Sequence, residues 1–292
     1  MNLTHGQVFY QWRPSACLRV SGEDAATFLQ GQFTNDLQHI PVGTATYGLW
    51  LNQKGKVLAD SFVRKVSPQD WRVLSYFSPA TVIRERLEAY IIADDVVIED
   101  ITETTVGLTL LGTISAREMG LGPEACEFRG RRMTELHSEL VFPAAAEFEV
   151  TPRLAGGLSL TPGEMELKRI AAGIPAVPGD IGATDLPNEG GLDAVAISYT
   201  KGCYLGQEVM ARLKSMGQVR RRLMRVHGSD APPPRPAALY QGERKVGELR
   251  SAAREGAGWI GLAMISLVQL QREAGLALTP NGAASIHVET AS

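Results

Sequence analysis

The sequence predicts an α+β protein with a separate C-terminal β-barrel, and three observations carry that prediction. Over residues 1–100, short strand-like runs alternate with two amphipathic helical stretches, the pattern of an antiparallel sheet covered by helices. The segment "SDAPPPRP" then breaks the chain. After it come only short apolar runs separated by glycine-rich turns, which suit a small barrel of five or six strands. At 292 residues the chain exceeds one compact core, so several domains are expected. The divisions read as 1–100, 101–216 and 217–292.

In order, "ACLRVSG" is a strand and "SGEDAATFLQGQF" a helix behind it. Ser21 and Asp24 have the spacing of a capping box, and Phe28, Leu29 and Phe33 share one face. "TATYGLWLNQKGKVLADSFVRKV" reads as a hairpin turning at 53–56, followed by the strand "DWRVLSYF". "SPATVIRERLEAYII" opens with a Ser-Pro helix start and carries Val82, Ile83, Leu87, Tyr90 and Ile91 on one stripe. In the second unit, "TETTVGLTLLG" is a strand, "TISAREMG" a short helix and "SELVFPAAAEFEVTP" more strand. "PGEMELKRIAAG" is a helix stopped at Gly173, and 175–200 reads as a long ordered loop. "GQEVMARLKSMG" is a helix with Val209, Met210 and Leu213 at helical spacing and a stop at Gly217.

Composition excludes several classes. Charged residues make up 21% and the net charge is -3, which weighs against a nucleic-acid coat. No apolar run approaches the roughly 20 residues of a membrane span. The N-terminal residues lack a signal-peptide core, so the expected compartment is the cytoplasm. Cys17, Cys126 and Cys203 are far apart, without a CxxC pair, which suits a reducing compartment and not a structural zinc site.

Three stretches carry chemistry. In "TKGCYLGQEVMARLKSMG", Cys203 lies just before a helix start and two residues from Lys201. Both neighbours favour a thiolate, the form that attacks electrophiles and ligates metals. The alternative is a small apolar side chain that packs, as cysteine commonly does. In "LNQKGKVLAD", Asn52 at the turn and Asp60 on the return strand would aim polar groups into one cleft, unless Asp60 is a solvated strand residue. Arg212, Lys214, Arg220, Arg221, Arg222 and Arg225 form a basic run without an intervening acid, a phosphate, polyglutamate or RNA contact or a solvated face. "GLGPEA" fits a dinucleotide fingerprint in letters only, because no strand precedes it and Pro123 interrupts it.

"KGCYLGQE" (201–208), Ala211-Arg212, "GQVRRRL" (217–223), "GEDAATFLQGQFTNDL", "LNQKGKVLAD" and "RIAAGIP" occur together and in order. In this the chain resembles the YgfZ-type folate-binding proteins, relatives of the glycine-cleavage T-protein and of a mitochondrial iron–sulfur assembly factor. The resemblance implies two intertwined α+β units and a C-terminal barrel around a central folate channel. It implies tetrahydrofolate as ligand and iron–sulfur client enzymes, including tRNA-thiolating ones, as partners of a monomer that does not itself bind nucleic acid. Cys203, Lys201 and Asp60 would be the chemical residues. Asn52, Gly202, Tyr204, Gly206, Gln207, Glu208 and Arg212 would line or shape the folate site. One departure stands out: relatives carry a glutamate holding the pterin in an "IEAG" step where this chain has Ala171. An aminomethyltransferase or demethylase and a tRNA-binding module are the rival functions.

Overall fold

A computed structural model describes residues 6–217, 219–271 and 274–289; Gln218 of the "GQVRRRL" stretch lies outside them. It contains three five-stranded sheets. The first runs in the order Ala45–Leu51, Val57–Ser67, Asp70–Ser75, Ala16–Ser21 and Val97–Asp100, antiparallel throughout. Strand alternation divides its residues between two faces. Leu18, Val20, Trp50 and Trp71 face the helices Ala25–Gln32 and Ala80–Glu88, meeting Phe28, Leu29, Ile83 and Leu87. Cys17, Phe62 and Leu74 face the other way.

The second sheet is ordered Leu158–Ser159, Val8–Trp12, Thr105–Leu111, His137–Pro143, Cys126–Arg129. Val8–Trp12 comes from the first hundred residues yet pairs with Thr105–Leu111, so the chain crosses the division expected at residue 100. Trp12, Cys126, Phe128 and Val141 of this sheet pack on Cys17, Phe62, Leu74 and Tyr76 of the first. Ring stacking fixes that layer: Phe62 lies 4.6 Å from Phe128 and 5.1 Å from Tyr47, centroid to centroid.

The third sheet joins Ala237–Gln241, Arg244–Glu255, Gly258–Ser266, Arg221–Gly228 and Ile286–Val288. Its two edges are drawn together by one short segment, since Ala277 bridges Tyr240 and Leu276 bridges Ile286. The helix Pro162–Ala171 starts at a Thr161–Glu164 capping box and rests Ile170 on Ala253, Ile260 and Leu262 of this sheet.

Three local expectations fail, each for a visible reason. Ser21 stays in its strand, and Asp24 accepts a hydrogen bond from Asp95 N, so no capping box forms before Ala25. "TISAREMG" is a set of turns, held between Gly112 and Gly120, both with positive φ, instead of a helix. The strand after His137 ends at Pro143 and the chain continues as single helical turns, Ala144–Ala146 and Glu147–Val150, because proline offers no donor to the ladder.

The 175–200 segment is held to the barrel by charge. Arg169, buried in the Pro162–Ala171 helix, donates from Nη1 to Asp180 Oδ2 at 2.7 Å and from Nη2 to Ser251 Oγ at 2.9 Å. Ser251 Oγ in turn donates to Asp180 Oδ1 at 2.5 Å. Asp185 accepts from Arg250 at 2.6 Å and Arg221 at 3.1 Å, and Glu189 accepts from Arg221 Nε at 2.7 Å. A segment without a sheet of its own thus becomes ordered through buried pairs whose remaining lone pairs are also occupied.

Candidate functional site

Two stretches singled out in the sequence meet in space. The helix Gln207–Met216 begins behind Gly206, whose φ of 86° is costly for any residue with a side chain. A Cβ on Gly206 would stand 3.0 Å from Asn52 O and 3.3 Å from the Leu51 side chain. On the other side, a Cβ on Gly55 would stand 2.9 Å from Val209 and Met210. The hairpin turn of "LNQKGKVLAD" therefore seats against the start of the helix that follows "KGCYLG". Leu49, Leu51 and Val57 close the contact from the sheet side, with Tyr204 and Met210 from the loop and helix.

Cys203 sits in this loop with its side chain exposed, whereas Cys17 and Cys126 are buried. Burial pushes the Cys17 thiol up to about 12 and raises Cys126 as well, so both remain inert thiols. Exposure together with the nearby helix start makes Cys203 the accessible sulfur of the three.

Lys201 does something other than face the thiol. Its Nζ donates to Gln30 O at 2.6 Å, Phe33 O at 2.6 Å and Asn35 O at 3.0 Å. The first two carbonyls end the Ala25–Gln32 helix and the third lies just beyond its cap, where a cation offsets the negative end of the dipole. All three ammonium protons are engaged there, so the expected partnership of Lys201 with a Cys203 thiolate gives way to a clamp between the loop and the first unit. Burial draws the Lys201 pKa down to about 8, partly opposed by Asp36.

Tyr204 is a core residue rather than a pocket wall, with its hydroxyl buried and unpartnered among the described residues. Burial raises its pKa to about 12. Gly202 and Glu208 are exposed and Gln207 is half-buried. Arg212 pairs with Glu208 one turn away at 2.5 Å, both side chains in solvent, so an i,i+4 pair accounts for them without a ligand.

Asn52 and Asp60 do not share a cleft. Asn52 Oδ1 accepts from Lys54 N and Lys56 N, closing the turn. Asp60 lies five residues beyond Gly55, roughly 16 Å along the strand, and is only 5% exposed. Its Oδ2 accepts from Tyr47 at 2.9 Å, and its Oδ1 from Ser75 at 2.9 Å. Ser78 Oγ stands 2.8 Å from the same Oδ1 and 2.9 Å from Val177 O, sharing one proton between them. Burial pushes the Asp60 carboxyl above its ordinary range; hydrogen bonds from Ser78, Ser75 and Tyr47 and the charge of Arg131 pull it partway back. Arg131 stacks 4.2 Å over the Tyr47 ring. Tyr47, Ser75, Ser78 and Arg131 are thus the surroundings that sequence reasoning missed. Only Tyr47 left a trace, on the strand that pairs with that of Asp60.

The basic run of 212–225 separates into paired members and members with no ion pair among the described residues. Arg221 binds Glu189 and Asp185, Arg225 binds Glu289 and the Ala171 carbonyl, and Lys214 lies 4.2 Å over Tyr199. Arg220 and Arg222 remain exposed. Ala171, the position singled out in "RIAAG", is an exposed helix end.

Comparison with known proteins matches this architecture. Residues 13–120 match the GCVT N-terminal domain, and residues 220–291 match the CAF17 C-terminal beta-barrel domain. The human mitochondrial iron–sulfur cluster assembly factor IBA57 is 29% identical over 274 residues, covering 85% of this chain and 74% of the human one. The tRNA-modifying protein YgfZ of Vibrio vulnificus is 28% identical over 246 residues, covering 82% of this chain and 75% of its own. The aminomethyltransferase T of the glycine cleavage system from Bartonella henselae superposes with a TM-score of 0.79 at 16% identity, covering 98% of this chain and 86% of that one, which speaks for the fold alone. No helix among the described residues is long and apolar enough to cross a membrane. With a match to the GCVT N-terminal domain followed by one to the CAF17 barrel, on a T-protein-like fold, the chain is similar to the IBA57 and YgfZ proteins.

Proposed function

We propose that the chain is a tetrahydrofolate-binding accessory protein for iron–sulfur cluster assembly or repair. It acts as a cytoplasmic monomer on client enzymes that include tRNA-modifying ones. The observation that carries this reading is the pairing of a buried, hydroxyl-ringed Asp60 with an exposed Cys203, joined through one hairpin that seats on the Cys203 loop.

The donor set fits a reduced folate. A carboxylate offers about four lone-pair sites, and Tyr47, Ser75 and Ser78 take three, leaving one for a ligand N–H. A reduced folate bound there supplies amines that carry a one-carbon unit. Burial raises the Asp60 carboxyl above its ordinary range, which makes it a better proton holder than an exposed carboxylate. Tyr47 and the two serines keep its oxygens oriented. Arg131, which makes no ion pair within 4 Å among the described residues, contributes positive charge over the ring of Tyr47 that also acts on Asp60. Cys203 is left facing solvent, where a client's sulfur or cluster can reach it. Relatives' names support the assembly reading, since they describe an iron–sulfur assembly factor and a tRNA-modifying protein.

Calorimetry with tetrahydrofolate tests the ligand. Wild type should give one site, and Asp60→Ala should weaken it at least tenfold, about 1.4 kcal/mol. No heat with the wild type removes folate from the account. Cys203→Ala should bind folate normally while client iron–sulfur enzyme activity falls in cells. Unchanged client activity would refute the role of the cysteine. An aminomethyltransferase would instead release a one-carbon unit from an aminomethyl donor at a rate sensitive to Asp60.

A further inference from the structure

Away from Asp60 and Cys203, between the edges of the first and second sheets, lies a cavity of about 750 Å³. That volume is in the range of small-ligand sites. Its walls bring together arginines from three separate elements. Arg64 comes from the long strand Val57–Ser67, Arg117 from the turns after Gly112, and Arg129 from the edge strand Cys126–Arg129. None of the three is in an ion pair among the described residues. The single acid in the lining is Glu127, and its Oε2 accepts from Ala116 N at 2.9 Å, holding it to the wall. His137 is turned inward, with Nδ1 2.7 Å from Glu135 O and Nε2 accepting from Arg132 N. Arg64 is steadied by Gly43 O, 3.3 Å from its Nε.

In a chain of net charge -3 this arrangement runs against the average. Three guanidinium groups that share a concave wall with a single carboxylate repel one another, and the wall focuses their excess field. Elsewhere in the same molecule, arginines that line a junction are matched by Asp and Glu, as around Asp185. An unmatched set in a cavity is complementary to a ligand bearing the missing charge, and planar forks bind carboxylate or phosphoryl oxygens two at a time.

We propose that this groove is a binding site for a multivalent oxyanion, a small molecule or chain end carrying three or more phosphoryl or carboxylate charges. Arg117 and Arg129, both exposed, form the outer grip, and Arg64 the inner one. The site is independent of the Asp60 reading and stands or falls apart from it.

Calorimetry on the full chain with tripolyphosphate and, separately, tri-γ-glutamate at fixed low salt tests the inference and distinguishes the two sources. The expected result is one site for at least one of them. The double variant Arg117→Ala/Arg129→Ala should weaken it at least thirtyfold (a conservative figure for two charge-assisted contacts), and Arg254→Ala, an exposed arginine on the barrel, should leave it unchanged. Absence of binding to both probes overturns the proposal, as does affinity that falls equally in Arg254→Ala. If total tRNA binds and loses affinity in the double variant while both small probes fail, the groove is a nucleic-acid contact and the small-ligand site is refuted. A melting scan of each variant separates lost affinity from lost fold.

Discussion

Arg169, Arg221 and Arg250 around the 175–200 segment, and Arg64, Arg117 and Arg129 around the groove, are one side chain in opposite situations. In the first region each guanidinium meets a carboxylate, and Asp180, Asp185 and Glu189 are buried beneath them. In the second, the arginines converge with no such partner among the described residues. The first arrangement makes a segment with little regular structure rigid; the second leaves charge available to something outside the chain. The contrast teaches that a local surplus of arginine says nothing until the acids across the fold are located. The run of 212–225 looked like a patch in sequence, and its acids arrive from 185, 189, 208 and 289.

The sharpest way to break the comparison is Arg169→Leu. It strands Asp180, which is fully buried, without its cation. Removing one partner of a buried pair costs about 3–5 kcal/mol, so urea unfolding should lose most of the stability of the assembly around the barrel. A loss under 1 kcal/mol would mean that the clasp does not order the segment.

Lys201→Met comes next. It leaves three carbonyls at and just beyond the helix end without their donor, and an unsatisfied buried acceptor costs about 1–3 kcal/mol. This position also has a pH signature. The folded pKa near 8 lies below the ordinary 10.5, so the folded state sheds its proton first. Between those values the unfolded chain binds more protons, and wild-type stability rises with pH by linkage. The neutral amine retains two N–H donors for the carbonyls. The gap between wild type and Lys201→Met, read from denaturant midpoints, should therefore widen from pH 8 to about 10. A constant gap would place the Lys201 charge in solvent.

Gly206→Ala against Gly202→Ala is a smaller effect within the same loop. Gly206 needs a positive φ and has Asn52 O at 3.0 Å from a new Cβ, so about 1–2 kcal/mol is expected. Gly202 has no positive φ, and a Cβ there meets nothing within 4 Å, so its alanine should fall within about 0.5 kcal/mol. The two glycines look alike in "KGCYLG", and thermal melts should separate them.

The elements most legible in the sequence are those with strong local signals. The helix "PGEMELKRIAAG" with its Gly173 stop, the Gly217 stop and the 53–56 turn each follow from residues at the element's own ends. The prediction that a helix start near Leu205 or Gly206 follows Cys203 rests on the same kind of signal, and the helix begins at Gln207. Less legible is whatever depends on distant partners. That Val8–Trp12 crosses to the second sheet is set by pairing with residues a hundred positions away. The environment of Asp60 assembles from Tyr47, Ser75, Ser78 and Arg131, and no spacing links them. Lys201 misled for the same reason: its neighbour in sequence is Cys203, but its neighbours in space are carbonyls near residue 30.

The smallest expected effect is the most informative about the groove. Arg117→Ala and Arg129→Ala remove exposed side chains that make no ion pair among the described residues, so each should change stability by no more than about 0.5 kcal/mol. A slight gain is expected at low ionic strength, because each substitution relieves repulsion between like charges across the cavity. That gain should fade as salt is raised toward 0.15 M, where the Debye length of roughly 8 Å is comparable to the width of such a cleft. The arginines around Asp185 must behave the other way, with Arg250→Ala destabilising at every salt concentration because its partner is buried. If Arg117→Ala instead destabilised the fold as much as Arg250→Ala, an intramolecular acid would have to be engaging Arg117 in solution, and the groove would be a second clasp, not a site.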